Sequence, residues 1–291
     1  MTFGQKRFEE INRKLNAKFQ EKQVLICAHR GSWHGNVIQN TSMAYQAALM
    51  QGADIVETDT TVSYDGVVFS IHDGVESRLF GCGRNSAHLT STQIESAVTL
   101  NALGEPSSHH VQRLEDIFEY LRNGALINID RTWRAGGKVP ALLDKYPHML
   151  HQAILKAPLD HPEILDQLEN HPVKYMFMPI CYSLKDVEAA LSYPNLNIVG
   201  AELIAFTPED ELYSDEAIRY IHSKNLFCWV NALTLTDVPP YKALYGDLDD
   251  DISILEGPSR GWGRLMDKGI DVIQTDWPAL VRNLRMERLG V

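Results

Sequence analysis

Basic residues are the scarce class here: 27 Lys and Arg stand against 38 Asp and Glu in 291 residues, a formal net charge of −11. Nucleic-acid backbones and anionic membrane surfaces are held by clustered Lys and Arg, so no nucleic-acid partner is expected. Cysteine is also sparse. Cys27, Cys82, Cys181 and Cys228 lie far apart with no CxxC pair, which leaves no zinc site, redox dithiol or disulfide framework to build on and fits a reducing compartment. No run of 18 apolar residues is present, and Gln5, Lys6, Arg7, Glu9 and Glu10 stand where a secretory leader needs an apolar core. These absences predict a cytoplasmic protein with no stable membrane insertion. Disorder is excluded by the 44% hydrophobic and 22% charged composition.

Regular alternation of strand-like and helix-like patterns fills the space those absences leave. Phe8, Ile11, Leu15 and Phe19 recur at helical spacing, predicting an N-terminal helix (residues 1–23) that packs on the body of the fold. Short apolar runs at 24–28, 53–59, 125–130, 152–157, 175–180, 198–205, 226–231 and 271–276 then alternate with amphipathic stretches. That is βαβα order, and eight such strands close a (β/α)8 TIM barrel over 24–291. A doubly wound open sheet is the alternative, but no GxGxxG loop follows the first strand. The run 66–73 reads as a hairpin strand after the second, joined through Tyr64, Asp65 and Gly66. Residues 73–113, rich in Gly, Ser, Thr and His, lack the barrel period and read as an insertion. Residues 232–257, with Pro239, Pro240 and a run of Asp, read as a long loop whose acids form a solvated face.

Chemistry-bearing residues gather at strand ends. Glu57 and Asp59 flank Thr58, and period-2 geometry puts both carboxylates on one face about 7 Å apart. Like charges so placed are costly unless a hard divalent cation accepts their oxygens. Asp130 and Asp276 close two further strands, and Asp130 is the expected third ligand. His29 ends the first strand in His-Arg-Gly and His72 ends the hairpin strand, so one imidazole can take a proton while the other gives one near neutral pH. Arg30 and Lys156 are placed to meet an anionic substrate, and Gly31 allows a tight turn.

Taken in order, His29-Arg30-Gly31, Asn40-Thr41, Gly52-Ala53-Asp54, Glu57-Thr58-Asp59, Asp65-Gly66 and His72-Asp73 resemble the signature of the glycerophosphodiester phosphodiesterase family. The runs at 227–233 and 269–280 are similar to that family's seventh and eighth strands. The resemblance implies a barrel with an insertion after the His-Asp pair, and an enzyme that cleaves glycerophosphodiesters to glycerol phosphate and an alcohol. It implies His29 and His72 as the acid/base pair, Glu57, Asp59 and Asp130 around one Mg²⁺ or Ca²⁺, Arg30 on the phosphate, and Trp229 against the alcohol. Gln39 stands where the family has Glu, Asp130 where it commonly has Glu, and Arg131-Thr132 where a Lys is expected; Lys156 is the candidate to restore that charge. Two other readings keep the barrel: a phospholipase-type phosphodiesterase for lysophospholipids or phosphoinositides, and a catalytically silent barrel that binds a metabolite.

Overall fold

The computed structural model describes residues 2–235 and 242–291; Pro239 and Pro240 of the expected loop lie outside the described residues. Eight parallel strands form the core: β1 (Leu25–Ala28), β2 (Ile55–Asp59), β3 (Leu126–Asp130), β4 (Ala153–Pro158), β5 (Met176–Cys181), β6 (Gly200–Leu203), β7 (Phe227–Asn231) and β8 (Val272–Thr275). Each hydrogen-bonds to its sequence neighbours, and β8 pairs with β1, so the sheet closes on itself as the eight-strand period predicts.

Alternation along the strands sends one set of side chains outward and the other into the barrel. Ile26, Val56, Ile127, Leu155, Phe177, Ala201, Val230 and Ile273 face the surrounding helices. Leu25, Ile55, Leu126, Ile154, Met176, Phe227 and Val272 point inward and make an apolar lower layer. The N-terminal helix (Glu9–Lys22) plugs that end, with Leu15 and Phe19 buried beside Phe3; the Phe3 and Phe19 rings stand 4.6 Å apart. Gly200 is required there, because a Cβ would come within 2.1 Å of the Phe227 ring.

Beyond β2 the chain makes the expected antiparallel ribbon, Thr61–Val62 against Val68–Phe69. The strand was expected to run to His72, but it stops at Phe69. Ser70 N donates instead to Gln112 O, so the chain leaves the ribbon to meet the segment returning from the insertion. That segment carries short helices (Glu76–Phe80 and Ser91–Ser96) and a two-stranded ribbon (Thr99–Leu100 with Pro106–Ser107). It gathers a small core of its own from Ile38, Phe69, Ile71, Leu79, Leu89, Ile94 and Val111. Among the described residues, no helix is long and apolar enough to cross a membrane.

Candidate active site

A cavity of about 900 Å³ opens at the C-terminal ends of the strands, where barrel loops converge. It brings His29, Arg30, Asp59, His72, Asp130 and Lys156 together. Glu57 is buried beside them, with a carboxylate oxygen within 4.8 Å of one from Asp59 and one from Asp130. The register explains the cluster: Glu57 and Asp59 on β2 lie opposite Asn128 and Asp130 on β3, all at inward positions.

Each acid has a fixed partner. Glu57 Oε2 accepts from the Arg30 backbone N–H at 2.8 Å. Asp59 Oδ2 accepts from Asn40 Nδ2 at 3.0 Å and lies 3.0 Å from Arg30 Nε. Asp130 Oδ1 accepts from the Arg131 N–H at 2.6 Å, and its Oδ2 pairs with Lys156 Nζ at 2.8 Å. Lys156 Nζ also pairs with Glu202 Oε2 at 2.8 Å. Burial pushes Glu57 well above the usual carboxylate range, and the charges of Asp59 and Asp130 push it further. Burial opposes ionisation of Asp59 too, but Arg30, then His72 and the Asn40 amide, outweigh it and hold the group below its ordinary value. Lys156 likewise stays charged: burial works against the ammonium, and Asp130, Glu202 and Glu57 more than offset it. Three carboxylates with convergent oxygens are a hard-donor set, and the surplus negative charge felt at Glu57 is what a bound cation would relieve, so the residues fit a divalent ion.

The two imidazoles sit in different surroundings. His29 Nδ1 donates to Asp276 Oδ1 at 2.9 Å, which leaves Nε2 for chemistry. Asp276 is in turn held by Asp250, whose Oδ2 accepts from the Asp276 N–H at 2.9 Å while Oδ1 accepts from Trp262 Nε1 and Thr275 Oγ1, both at 2.7 Å. His72 Nε2 accepts from Arg131 Nη2 at 2.6 Å, and Arg131 also pairs with Asp73. Burial lowers the His72 pKa; Asp59 opposes that, while Arg30 and Arg131 add to it, so the neutral ring is favoured.

Backbone conformation delivers both arginines. Arg30 and Arg131 adopt left-handed geometry, φ 55° and 58°, which costs a non-glycine residue on the order of 1 kcal/mol or more unless its surroundings compensate. The Glu57 and Asp130 carboxylates supply that compensation by accepting the two backbone N–H groups. Gly31 follows with φ 75°, packed so closely on the helix Ser42–Met50 that a Cβ would lie 2.6 Å from the Ala44 carbonyl carbon.

Two expectations are corrected. Trp229 is fully buried inside the barrel among Phe227, Leu25 and Met178, beneath the cavity floor, because its inward position on β7 lies one layer too deep to meet a substrate. Its indole Nε1 donates to Asn231 Oδ1 at 3.0 Å, so it braces a residue that does line the cavity. The Asp run is only half a solvated face: Asp247 and Asp251 are exposed, whereas Asp249 caps the helix Asp250–Leu255 and Asp250 is 5% exposed. Burial pushes the Asp250 pKa up to about 8, against the hydrogen bonds that favour its ionised form. Glu202 is a further cavity residue beyond those expected, and its sequence signal is the one Glu57 gives: an acid within an apolar strand, Gly200–Leu203.

Two family models match the chain: the glycerophosphoryl diester phosphodiesterase family over residues 29–145, and a domain of unknown function over 177–284. The chain is similar to a lysophospholipase D of Mus musculus, 29% identical over 103 residues, covering 33% of this chain and 31% of that protein. It spans less than a third of the length of the curated relatives it matches. Among solved structures it is similar in fold to a glycerophosphoryl diester phosphodiesterase from Parabacteroides distasonis, with a TM-score of 0.71 at 17% identity, covering 91% of this chain and 87% of that one. A phosphodiesterase of Oleispira antarctica, solved with the product sn-glycerol-3-phosphate, gives a TM-score of 0.66 at 13% identity over 90% of this chain and 96% of that one.

Proposed function

We propose that this chain, which belongs to the glycerophosphoryl diester phosphodiesterase family, hydrolyses a glycerophosphodiester to glycerol phosphate and an alcohol, with His29 and His72 moving the protons. One observation carries the reading. Two imidazoles, an acid cluster and two arginines share a single cavity at the C-terminal mouth of the barrel.

His72, favoured in its neutral form, is the proton acceptor for the glycerol hydroxyl next to the phosphate. Arg131, which occupies its Nε2 lone pair, releases it by turning to a phosphate oxygen. The hydroxyl oxygen attacks phosphorus, the bond to the alcohol breaks, and the departing oxygen takes a proton from His29 Nε2. Asp276 accepts from His29 Nδ1 and so fixes the orientation of the ring. Water then opens the cyclic phosphate with the two roles exchanged. Glu57, Asp59 and Asp130 would hold one Mg²⁺ or Ca²⁺, which would supply Lewis-acid charge to the bound ester. Lys156 is buried between Asp130 and Glu202, so phosphate contact falls to the more accessible Arg30 and Arg131. The four free cysteines suit a cytoplasmic setting.

A lysophospholipid is the second reading, supported by a wall of Ile180, Ile204, Leu233 and Leu244 inside the cavity and by half-exposed Tyr182 at its edge. Turnover of glycerophosphocholine, glycerophosphoinositol and lysophosphatidylcholine, each with Mg²⁺, Ca²⁺ and chelator, tests both. Cation-dependent release of glycerol phosphate from the first two supports the main reading, and faster cleavage of the third selects the other. No turnover across the panel favours a catalytically silent barrel.

A further inference from the structure

Gln274 is a polar residue whose side chain has no partner among the described residues. It points inward from β8 between apolar Val272, one layer below, and Asp276, one layer above. Its side chain is 2% exposed, lines the cavity, and makes no hydrogen bond to any described residue; Oε1 is fully buried and unpartnered. A buried amide left in that state is costly, and an apolar side chain of equal size would cost less.

The neighbouring polar groups are spoken for. In register across the strands, Gln274 lies opposite Asn231 on β7 and Cys27 on β1. Asn231 donates to Glu202 Oε1 at 3.0 Å and accepts from Trp229, and Glu202 is paired with Lys156. Asp276, on the same face and about 7 Å further along the strand, is bound to His29. Gln274 therefore has spare hydrogen-bonding capacity one layer beneath the proposed proton donor.

We propose that Gln274 recognises a hydroxyl group of the substrate, the glycerol hydroxyl that extends below the phosphate, and so selects polyol phosphates over hydroxyl-free ones. A hydroxyl suits the amide because each can both donate and accept. The inference rests on the reading that a glycerophosphate ester fills the cavity.

Calorimetric binding of sn-glycerol-3-phosphate and of ethyl phosphate to the full chain, in wild type, Gln274→Met and Gln274→Asn, tests it. Wild type is expected to prefer glycerol phosphate, and Gln274→Met to reduce that preference by about three- to tenfold, the worth of one neutral hydrogen bond, without weakening ethyl phosphate. Gln274→Asn, with its amide withdrawn by one methylene, falls between. Thermal stability of Gln274→Met equals or exceeds wild type, because a buried unpartnered amide has been replaced by an apolar chain. An unchanged preference in Gln274→Met, no preference in wild type, or equal weakening of both esters with a lowered Tm overturns the proposal. Hydrolysis by wild type is measured in parallel: an unchanged preference with turnover intact removes Gln274 alone, whereas selective binding without turnover removes the hydrolytic reading and keeps the subsite.

Discussion

The lower and upper halves of the barrel interior share the same strands and the same inward alternation, but they are built from opposite chemistry. Below, Leu25, Ile55, Leu126, Ile154, Phe227 and Val272 close around the N-terminal helix. Above, the inward positions further along those strands include Glu57, Asp59, Asp130, Lys156, Asn231, Gln274 and Asp276, every one buried or lining the cavity. Apolar burial stabilises the fold at about 25 cal/mol per Å², whereas buried ions break even at best against hydrophobic replacements. The two layers thus divide labour: the lower one holds the barrel shut, and the upper one gives up stability to keep charge at the cavity.

The largest effect that can break this division is Trp229→Ala. Truncating a fully buried Trp in the lower layer is expected to cost about 3–5 kcal/mol in denaturant unfolding while the folded fraction keeps its ligand affinity; a selective loss of affinity would move Trp229 into the site. Next comes Lys156→Met, which leaves Asp130 and Glu202 buried without their cation at an expected cost of about 3 kcal/mol at pH 7. The deficit shrinks as pH falls and those carboxyls protonate, so a pH-independent deficit would show that packing, not charge, was lost.

Glu57→Gln has the opposite sign. The Glu57 carboxyl titrates higher in the folded chain than in the unfolded one, so stability falls as pH rises from the unfolded value of about 4.3 to the folded one, and the deficit persists above it. In chelator at pH 8 the variant is expected to be more stable by about 1–2 kcal/mol, converging with wild type below pH 4. Equal unfolding curves at both pH values would mean that the acid cluster carries no strain. Smallest is Asp250→Asn, which mismatches one of three buried donors: about 1 kcal/mol of stability is expected to go, with kcat falling more than KM rises because Asp276 and then His29 lose their anchor. A rise in KM with kcat unchanged would contradict that chain of contacts.

Much of this division was legible in the sequence. Eight apolar runs in βαβα order are enough for a closed barrel, and Glu57, Asp59, His29 and His72 stood out because charge at the end of an apolar strand has few structural uses. Depth along a strand was not legible. Period 2 says that Trp229 faces inward, but not that its layer lies beneath the cavity. Nor can composition tell which of several neighbouring acids packs, so Asp250 looked as solvated as Asp247 until the indole of Trp262 and the end of β8 were seen to close on it. Arg131 read only as a substitution for a lysine. Its left-handed backbone, fixed by Asp130, is what swings the guanidinium back to His72 and Asp73.

The proposed acid/base role is what separates the upper layer from a merely polar core. Its most direct test is steady-state hydrolysis of glycerophosphodiesters by His29→Ala and His72→Ala, with Tm measured on the same samples. Each variant is expected to lose about 10²–10⁴-fold in kcat while Tm stays near the wild-type value, since neither ring belongs to the apolar layer. Near wild-type turnover in either variant would contradict the account.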